Sequence, residues 1–438
     1  MGRVIPLSTL LPLPKILDGF TPEEFRFRRD ALRSSCPDGL ILINGAVEPE
    51  DSSPLPFRQN SPLYYLTGIE APGATLVLLP TSAPAYLGVR DAHEGIHEIL
   101  FLPPRNLERE TWTGPRPGSD SQTQTESGIE RIMDANSLWG SLIGWLRYCP
   151  IAYTVAPYGS GAKLTPEYAF MHRIQEIAPI VQFKDIGPAL ASLRMIKSSA
   201  EESKICEAIT ITDKALRAAR EFIQMGNGRY EYEVEAIILE TFRNHGAYSA
   251  FSPIVGSGQF STALHYENNN AMLNDGDTVV VDIGARVGRY CADLTRTFPV
   301  GGHFSPRQRE IYSLVADAHQ FLVEDYKPGD TLEDLTRHCK EFLKNSPLHI
   351  TNSLGIELTM ENYMPHGVSH HLGLDVHDVG DRTRALIPGN VITIEPGIYL
   401  PEEGIGVRLE DDYLVTPGGL KRLGESCSFR LDSIESGN

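Results

Sequence analysis

Apolar and polar positions follow two different periods along this chain, and they separate it into an early and a late part. Early on, short apolar runs bounded by turn residues, Gly39–Asn44 (GLILIN) and Ala74–Leu79 (ATLVLL), predict buried strands. Thr21–Ser35 opens on Thr-Pro and carries acids first and bases later, which predicts a helix. Leu138–Arg147, Glu167–Glu176 and Ile180–Asp185 continue the alternation of helix and strand, so residues 1–187 are expected to form an α/β layer. Residues 1–20 read as an extended arm. Pro115–Ser127 (PRPGSDSQTQTES) has no apolar period and predicts a polar, mobile loop.

The predicted boundary lies near Gly187–Ser198. Ser199 then opens a long helix, with Glu202 completing a capping box. Its stripe of Ile205, Ile209, Thr212, Leu216, Ala219 and Ile223 steps by four and three until Gly226. A second helix spans Tyr230–Asn244. Strands are predicted at Phe251–Val255 and in a hairpin within Thr278–Pro299. The order then repeats. Ser305-Pro306 starts a helix that Pro328-Gly329 ends, and Asp330 caps another, with Glu333 as its reciprocal partner. Strands follow at Val391–Tyr399 and Gly406–Val415. Two helices and then strands, twice over, predict an α+β domain over 188–438 with an internal two-fold, on element order alone.

Composition narrows the partners. A net charge of −18 lacks the basic face that nucleic acid requires, so no nucleic-acid partner is expected. No apolar run reaches membrane-spanning length, so no membrane partner is expected either. The six cysteines form no CxxC pair, which predicts reduced thiols and a cytoplasmic protein. The proline-interrupted N-terminus makes a poor signal peptide.

The chemistry gathers in the late strands. In TVVVDIGARVGRYCADLTRTFP, a two-residue turn at Val287–Gly288 would set Asp282 directly opposite Asp293. Cβ atoms of opposed residues lie ~5 Å apart, and like charges there repel. Two readings follow: a divalent metal between the carboxylates, or one aspartate on a bulge paired with Arg286, Arg289 or Arg296. The later hairpin has Thr393 and Glu395 on one face and Arg408 and Glu410 on one face, with a turn near Pro401–Gly404. Between the hairpins, PHGVSHHLGLDVHD holds four histidines, 366, 370, 371 and 377. Asp282, Asp293, Glu395 and Glu410 with one imidazole make a five-ligand set for two divalent ions ~3.5–4 Å apart, with a bridging hydroxide as nucleophile. Oxygen-rich ligation with a single nitrogen favours Mn²⁺, with Co²⁺ or Zn²⁺ as alternatives. No dinucleotide fingerprint, G-x-S-x-G elbow or HExxH pair is present.

The blocks VDIGARVGRYCADLTRTFPVGG, PHGVSHHLGLDVHDVG, TIEPGIY and VRLEDD, in this order and spacing, resemble the pita-bread metallopeptidases, in their proline-directed branch of Xaa-Pro aminopeptidases and prolidases. Arg28-Arg29-Asp30-Ala31-Leu32 and PFRQNSPLYYLTG are similar to the N-terminal domain of the bacterial-type Xaa-Pro aminopeptidases, so the resemblance covers nearly the whole chain. It implies that Asp282 chelates one metal, that Asp293 and Glu410 bridge both, and that His370 and Glu395 complete the second. It implies that Glu395 also handles the proton of the attacking water. His265 and His377 would line the substrate pocket and assist proton transfer or carbonyl polarisation, with His366 a further pocket histidine. Arg408 matches an active-site arginine beside the bridging glutamate, and Tyr399 lies near the pocket by analogy alone. His371 departs from the family, which usually has a bulky aromatic there, and should alter packing more than chemistry.

The implied substrates are peptides with proline at the second position, cut before the proline. An Xaa-Pro bond has no N–H, so a site that attacks it cannot rely on that donor. A prolidase acting on dipeptides alone is the alternative, and a metal-free pita-bread binding module is a third reading, set against by the five retained ligands. The first domain would serve substrate access and a homodimer.

Overall fold

A computed structural model describes residues 19–48, 57–80, 96–156, 165–226, 228–351, 355–424 and 428–436. The expected N-terminal arm falls outside these residues, apart from Gly19 and Phe20. The chain divides into two compact units, Met1–Leu193 and Arg194–Asn438.

In the first unit, strands β1 (Leu40–Asn44), β2 (Thr75–Leu78), β3 (Glu98–Leu102), β4 (Arg131–Asp134), β5 (Ile151–Thr154) and β6 (Gln182–Asp185) form one sheet in the order 4-3-2-1-5-6. The 1-5, 5-6 and 3-4 pairs are parallel, and the 1-2 and 2-3 pairs antiparallel. Helix α1 (Pro22–Ser35) precedes them, α2 (Ser61–Thr67), α3 (Leu107–Thr113), α4 (Ser121–Ser127), α5 (Leu138–Tyr148) and α6 (Pro166–Ile177) lie between strands, and α7 (Gly187–Met195) follows β6. Thr21 caps α1 as its sequence predicts. The stretch expected to be a loop contains α4, which Asp120 caps and Gly128 ends in a left-handed conformation. Its ends carry the helix signal and its middle does not. The sheet's core packs Leu40, Leu42, Val77, Ile99 and Phe101 against Leu142, Trp145, Leu146, Phe170 and Ile174 from α5 and α6.

In the second unit, α8 (Ser199–Gln224) and α9 (Glu231–Asn244) precede β7 (Tyr248–Ser249), β8 (Ile254–Ser257), β9 (Thr278–Ile283), β10 (Ala285–Val287), β11 (Tyr290–Cys291) and β12 (Leu294–Pro299). Then α10 (Pro306–Asp325) and α11 (Leu332–Lys344) precede β13 (His349–Thr351), β14 (Glu357–Thr359), β15 (Val391–Ile394), β16 (Gly397–Leu400), β17 (Ile405–Arg408), β18 (Asp411–Thr416) and β19 (Gly419–Arg422), before α12 (Leu431–Ser436). This is the expected doubled order of helix pair and strands.

Two caps sit one residue from their predicted places. Ser198 and Glu201 form the box that opens α8, and Thr331 and Asp334 the one that opens α11. Both registers satisfy the same spacing; the box that forms lies one residue earlier than expected at α8 and one residue later at α11.

The first hairpin also departs from the expected register. Val287 pairs with Tyr290, so the turn is Gly288–Arg289. Both residues have positive φ, 51° and 76°. A two-residue turn of that kind matches strand twist, although a non-glycine residue at φ > 0 is uncommon. Asp282 therefore lies opposite Thr295. Asp293 is two residues before Thr295, on the same face, and is the diagonal rather than the direct neighbour of Asp282. At Gly284 the carbonyl of Ala292 comes so close that a Cβ would overlap it.

Candidate metal centre

Strand ends bring the acids together. Asp282 is in β9, Asp293 immediately precedes β12, Glu395 immediately follows β15, and Glu410 lies between β17 and β18. Glu410 forms a bridge with Thr295, donating its backbone N–H to the Thr295 carbonyl at 3.1 Å. That bridge, with the Arg408 N–H donating to the Thr297 hydroxyl at 3.1 Å, joins the two hairpins across the site. The segment around His370 runs beside β15. Thr393 N–H donates to the His370 carbonyl at 3.0 Å, and Glu395 N–H to the Val368 carbonyl at 2.9 Å. His370 and Glu395 thereby face the same space.

His370 Nε2 lies 3.4 Å from Asp293 Oδ2, 3.6 Å from Glu395 Oε1 and 3.9 Å from Glu410 Oε1. Donor atoms of Asp293, His370 and Glu410 all lie within 4.8 Å of one another. His370 Nδ1 is 3.0 Å from the His371 carbonyl. A carbonyl only accepts, so Nδ1 carries the proton and Nε2 turns its lone pair toward the carboxylates. The residues open on a cavity of about 470 Å³ that is also lined by Asp282, His265, His366, His377, Arg382 and Arg408.

A chain of hydrogen bonds runs along one wall. His366 Nδ1 donates to the Gly367 carbonyl at 2.9 Å, which leaves Nε2 to accept from the Tyr399 hydroxyl at 2.9 Å. The Tyr399 oxygen accepts from Arg408 Nη1 at 2.9 Å, and Arg408 Nη2 donates to Asp282 Oδ2 at 2.6 Å. Arg408 thus pairs with Asp282, not with the neighbouring Glu410 that the sequence suggested.

The electrostatics are those of a site short of positive charge. Burial, and then the charges of Glu410 and Asp282, hold the Asp293 carboxyl well above its ordinary range. Burial, and then Glu395 and Asp282, do the same to Glu410. Burial pushes Glu395 up to about 8 against the opposing pull of Arg408. Burial drives His370 down to about 4, so it is the neutral imidazole that a metal requires. Asp282 Oδ1, Asp293 Oδ1 and Glu410 Oε1 are buried with no hydrogen-bond partner among the described residues. Buried polar atoms are normally paired, and three orphaned carboxylate oxygens around one neutral imidazole fit divalent cations.

The structure therefore gathers Asp282, Asp293, His370, Glu395 and Glu410, with His265, His366, His377 and Arg408, around one cavity. His371 is 2% exposed, and neither ring nitrogen has a partner among the described residues. Sequence reasoning missed several supporting groups. Thr295 Oγ1 donates to Glu410 Oε2 at 2.7 Å, and Asp412 accepts the Asp293 N–H at 3.1 Å. Thr295 could have been found from its same-face spacing to Asp293. Asp412, 119 residues from its partner, carried no local signal.

Comparison with known proteins agrees with this geometry. Residues 203–417 match metallopeptidase family M24, and residues 25–150 match the aminopeptidase P N-terminal domain. The chain is 33% identical to the Xaa-Pro aminopeptidase of Escherichia coli, over 94% of this chain and 97% of that one. It is 36% identical to the Xaa-Pro dipeptidase of Pyrococcus furiosus, over 60% of this chain and 72% of that one. The structure of E. coli aminopeptidase P with the inhibitor Pro-Leu superposes with a TM-score of 0.82 at 32% identity, covering 95% of this chain and 98% of that one. The chain belongs to metallopeptidase family M24, with the pita-bread fold and the N-terminal domain of the aminopeptidase P type. Membership of a metallopeptidase family implies divalent metal ions.

Proposed function

We propose that this M24 protein is an Xaa-Pro aminopeptidase, which hydrolyses the bond between an N-terminal residue and a following proline. The observation that carries this reading is the cluster of buried carboxylate oxygens, without a hydrogen-bond partner among the described residues, around neutral His370, in a chain that aligns over 94% of its length with an Xaa-Pro aminopeptidase. The Xaa-Pro dipeptidase matches over 60% of this chain, whereas residues 25–150 match the aminopeptidase P N-terminal domain, which favours the aminopeptidase over prolidase.

Asp282, Asp293, His370, Glu395 and Glu410 would hold two divalent ions, with Asp293 and Glu410 shared between them. The oxygen-rich donor set favours Mn²⁺ over Co²⁺ or Zn²⁺. Such ions, when bound, activate water and polarise the scissile carbonyl. The chain's own side chains supply the rest. Glu395 accepts the proton of the attacking water. His377 and His265 face the cavity and can return a proton to the leaving proline nitrogen, which has no N–H of its own. Arg408, fixed by Asp282 and Tyr399, keeps one positive charge in the wall and holds the Tyr399 hydroxyl on His366.

We assign catalysis to residues 188–438, and substrate access and homodimer formation to residues 1–187. The five free cysteines of the described residues support a reducing, cytoplasmic setting. The decisive experiment compares kcat/KM for a matched Xaa-Pro dipeptide, Xaa-Pro-Yaa tripeptide and pentapeptide. Faster cleavage of the longer peptides is expected, with N-acetylated peptides resistant. Activity confined to the dipeptide would identify a prolidase.

A further inference from the structure

His377 sits in a loop with little of its own to hold it. Gly373 precedes it and Gly380 follows, and the residue is exposed. Yet its ring meets that of His370 edge-on, with centroids 4.5 Å apart at 84°. Something must fix the loop for that contact to persist.

The next residue, Asp378, is fixed on all sides. Its side chain is 1% exposed and is bound by Arg194 Nη2 on one oxygen and Lys197 Nζ, at 3.3 Å, on the other. The Arg194 and Lys197 side chains are themselves only 3% and 1% exposed. Arg194 also binds Asp375 in the same loop at 2.9 Å. The Asp378 carboxylate fills the space beside Gly373, where a Cβ would overlap it. Its N–H donates to the His371 carbonyl at 2.9 Å, the same oxygen that accepts the hydrogen bond from His370 Nδ1. Lys197 is tied in turn by its backbone N–H to the Gly389 carbonyl at 2.8 Å.

A buried ion cluster of this kind adds little net stability, because desolvation offsets the attraction. What it does supply is a position. Asp378 cannot shift without taking the carboxylate from buried Lys197 and leaving buried Arg194 with Asp375 alone, and that holds the backbone of His377 beside it. We propose that Arg194, Lys197 and Asp378 are positioning residues that hold His377 against His370 and over the substrate cavity. The inference rests on the aminopeptidase reading above, since it needs a reaction in which His377 takes part.

The test is a double-mutant cycle on kcat with an Xaa-Pro-Yaa peptide. Asp378→Asn and Lys197→Gln are each expected to lower kcat ~10–100-fold, the scale of a misplaced catalytic group, with KM within ~3-fold. In a His377→Ala background the same changes should lower kcat less than ~2-fold further, because their route of action is already gone. Metal content by elemental analysis should stay at the level of the unsubstituted enzyme, and Lys197→Arg should recover most of kcat. An equal loss of kcat in both backgrounds, or a loss that follows metal content, overturns the proposal. If Asp378→Asn does not fold, Lys197→Gln keeps the Arg194 contact and carries the cycle alone. Failure of the unsubstituted enzyme to cut any Xaa-Pro peptide would instead overturn the aminopeptidase reading.

Discussion

Glu410 and Asp411 are neighbours in the chain and equally buried, yet their side chains meet opposite environments. Asp411 faces a layer that supplies its own counter-charges. Arg296 Nη2 and Arg422 Nη2 each bond Asp411 Oδ1 at 2.7 Å. Burial alone would raise its pKa, but the two arginines outweigh it and hold the carboxyl below the ordinary range. Glu410 faces the cavity. There it meets Asp293, Asp282 and Glu395, and its carboxyl is held well above the ordinary range. Arg296 joins the two sides, because its Nη1 donates to the Glu410 carbonyl at 2.6 Å. One face of this strand end is electrically complete, and the other is short of positive charge, as the proposed cation site requires. Burial of a carboxylate therefore says little about function until its counter-charge has been located.

The largest expected effect breaks the incomplete side. Glu410→Ala and Asp293→Ala should lose bound metal and lower turnover by ~10⁴-fold or more, as for groups that act as a unit. His377→Ala should lower turnover while keeping metal. Elemental analysis set beside rates decides the point. If His377→Ala empties the site and His370→Ala does not, ligand and pocket histidine have been exchanged.

A sharper contrast lies in the stability of metal-free protein, where the two faces should respond with opposite signs. Arg296→Met leaves Asp411 short of a buried partner and should cost ~3–5 kcal/mol. In a unit of this size that is a fall in Tm of roughly 10 °C. Glu410→Gln removes one of several repelling charges and keeps an oxygen for the Thr295 hydroxyl. It should raise metal-free stability by ~1 kcal/mol, the value of one pKa unit, and abolish activity. Chemical denaturation after chelation measures both. A destabilising Glu410→Gln would show that the carboxylates are compensated by something other than a cation.

How far these two faces could be read from the chain differs for a physical reason. The acids of the cavity stood out because they interrupt β-branched strands, where an unpaired carboxylate is costly. Their partners across the sheet did not, since Thr295 meets Glu410 only through a bridge that spans 115 residues. The hairpin register was misplaced by the turn, where Arg289 takes a conformation usually left to glycine. The α8 and α11 caps slipped by one because two overlapping pairs satisfy each capping spacing. Asp378 looked like one more acid in a histidine-rich stretch, and nothing local tied it to Arg194 and Lys197, 184 and 181 residues away.

Titration separates the faces again. A carboxyl whose folded pKa is raised binds protons more tightly when folded, so its stabilising contribution is present at low pH and lost as pH climbs to the folded value. Glu395, raised to about 8, places its loss in the range up to about pH 8, and Asp293 and Glu410, also raised, act with the same sign. The buried histidines act the other way. His366 and His370, driven down to about 4, cost stability as pH falls below their ordinary 6.5. Above pH 6.5 the histidine contribution levels off, and the carboxylates come to dominate the slope. Metal-free protein should therefore lose stability between pH 6.5 and 8, by up to ~1.4 kcal/mol per pH unit for each titrating group. Loading with Mn²⁺ should flatten that slope, because bound cations keep the carboxylates ionised at both ends of the range. An equal slope with and without metal would remove these acids from the metal site. Asp411, with its lowered pKa, contributes stability that is lost only on acidification below the ordinary carboxylate range, so it leaves this window untouched.

The smallest effect concerns redundancy on the complete side. Asp411 has two arginines, and they are not equivalent. Arg296 is 0% exposed and also bonds the carbonyls of Thr295 and Glu410. The Arg422 side chain is 31% exposed, and solvent screens its pair with Asp411. Arg422→Met leaves Asp411 with its fully buried partner, so the expected cost is ~1 kcal/mol, well below that of Arg296→Met. Because Arg296 still fixes the Glu410 carbonyl, metal content and kcat should stay within ~2-fold of the unsubstituted enzyme. The measurement is a denaturation curve beside a rate and a metal assay for the two arginine variants. If Arg422→Met matched Arg296→Met in both stability and metal loss, the two arginines would act as one unit, and the inner face could no longer be treated as complete with Arg296 alone.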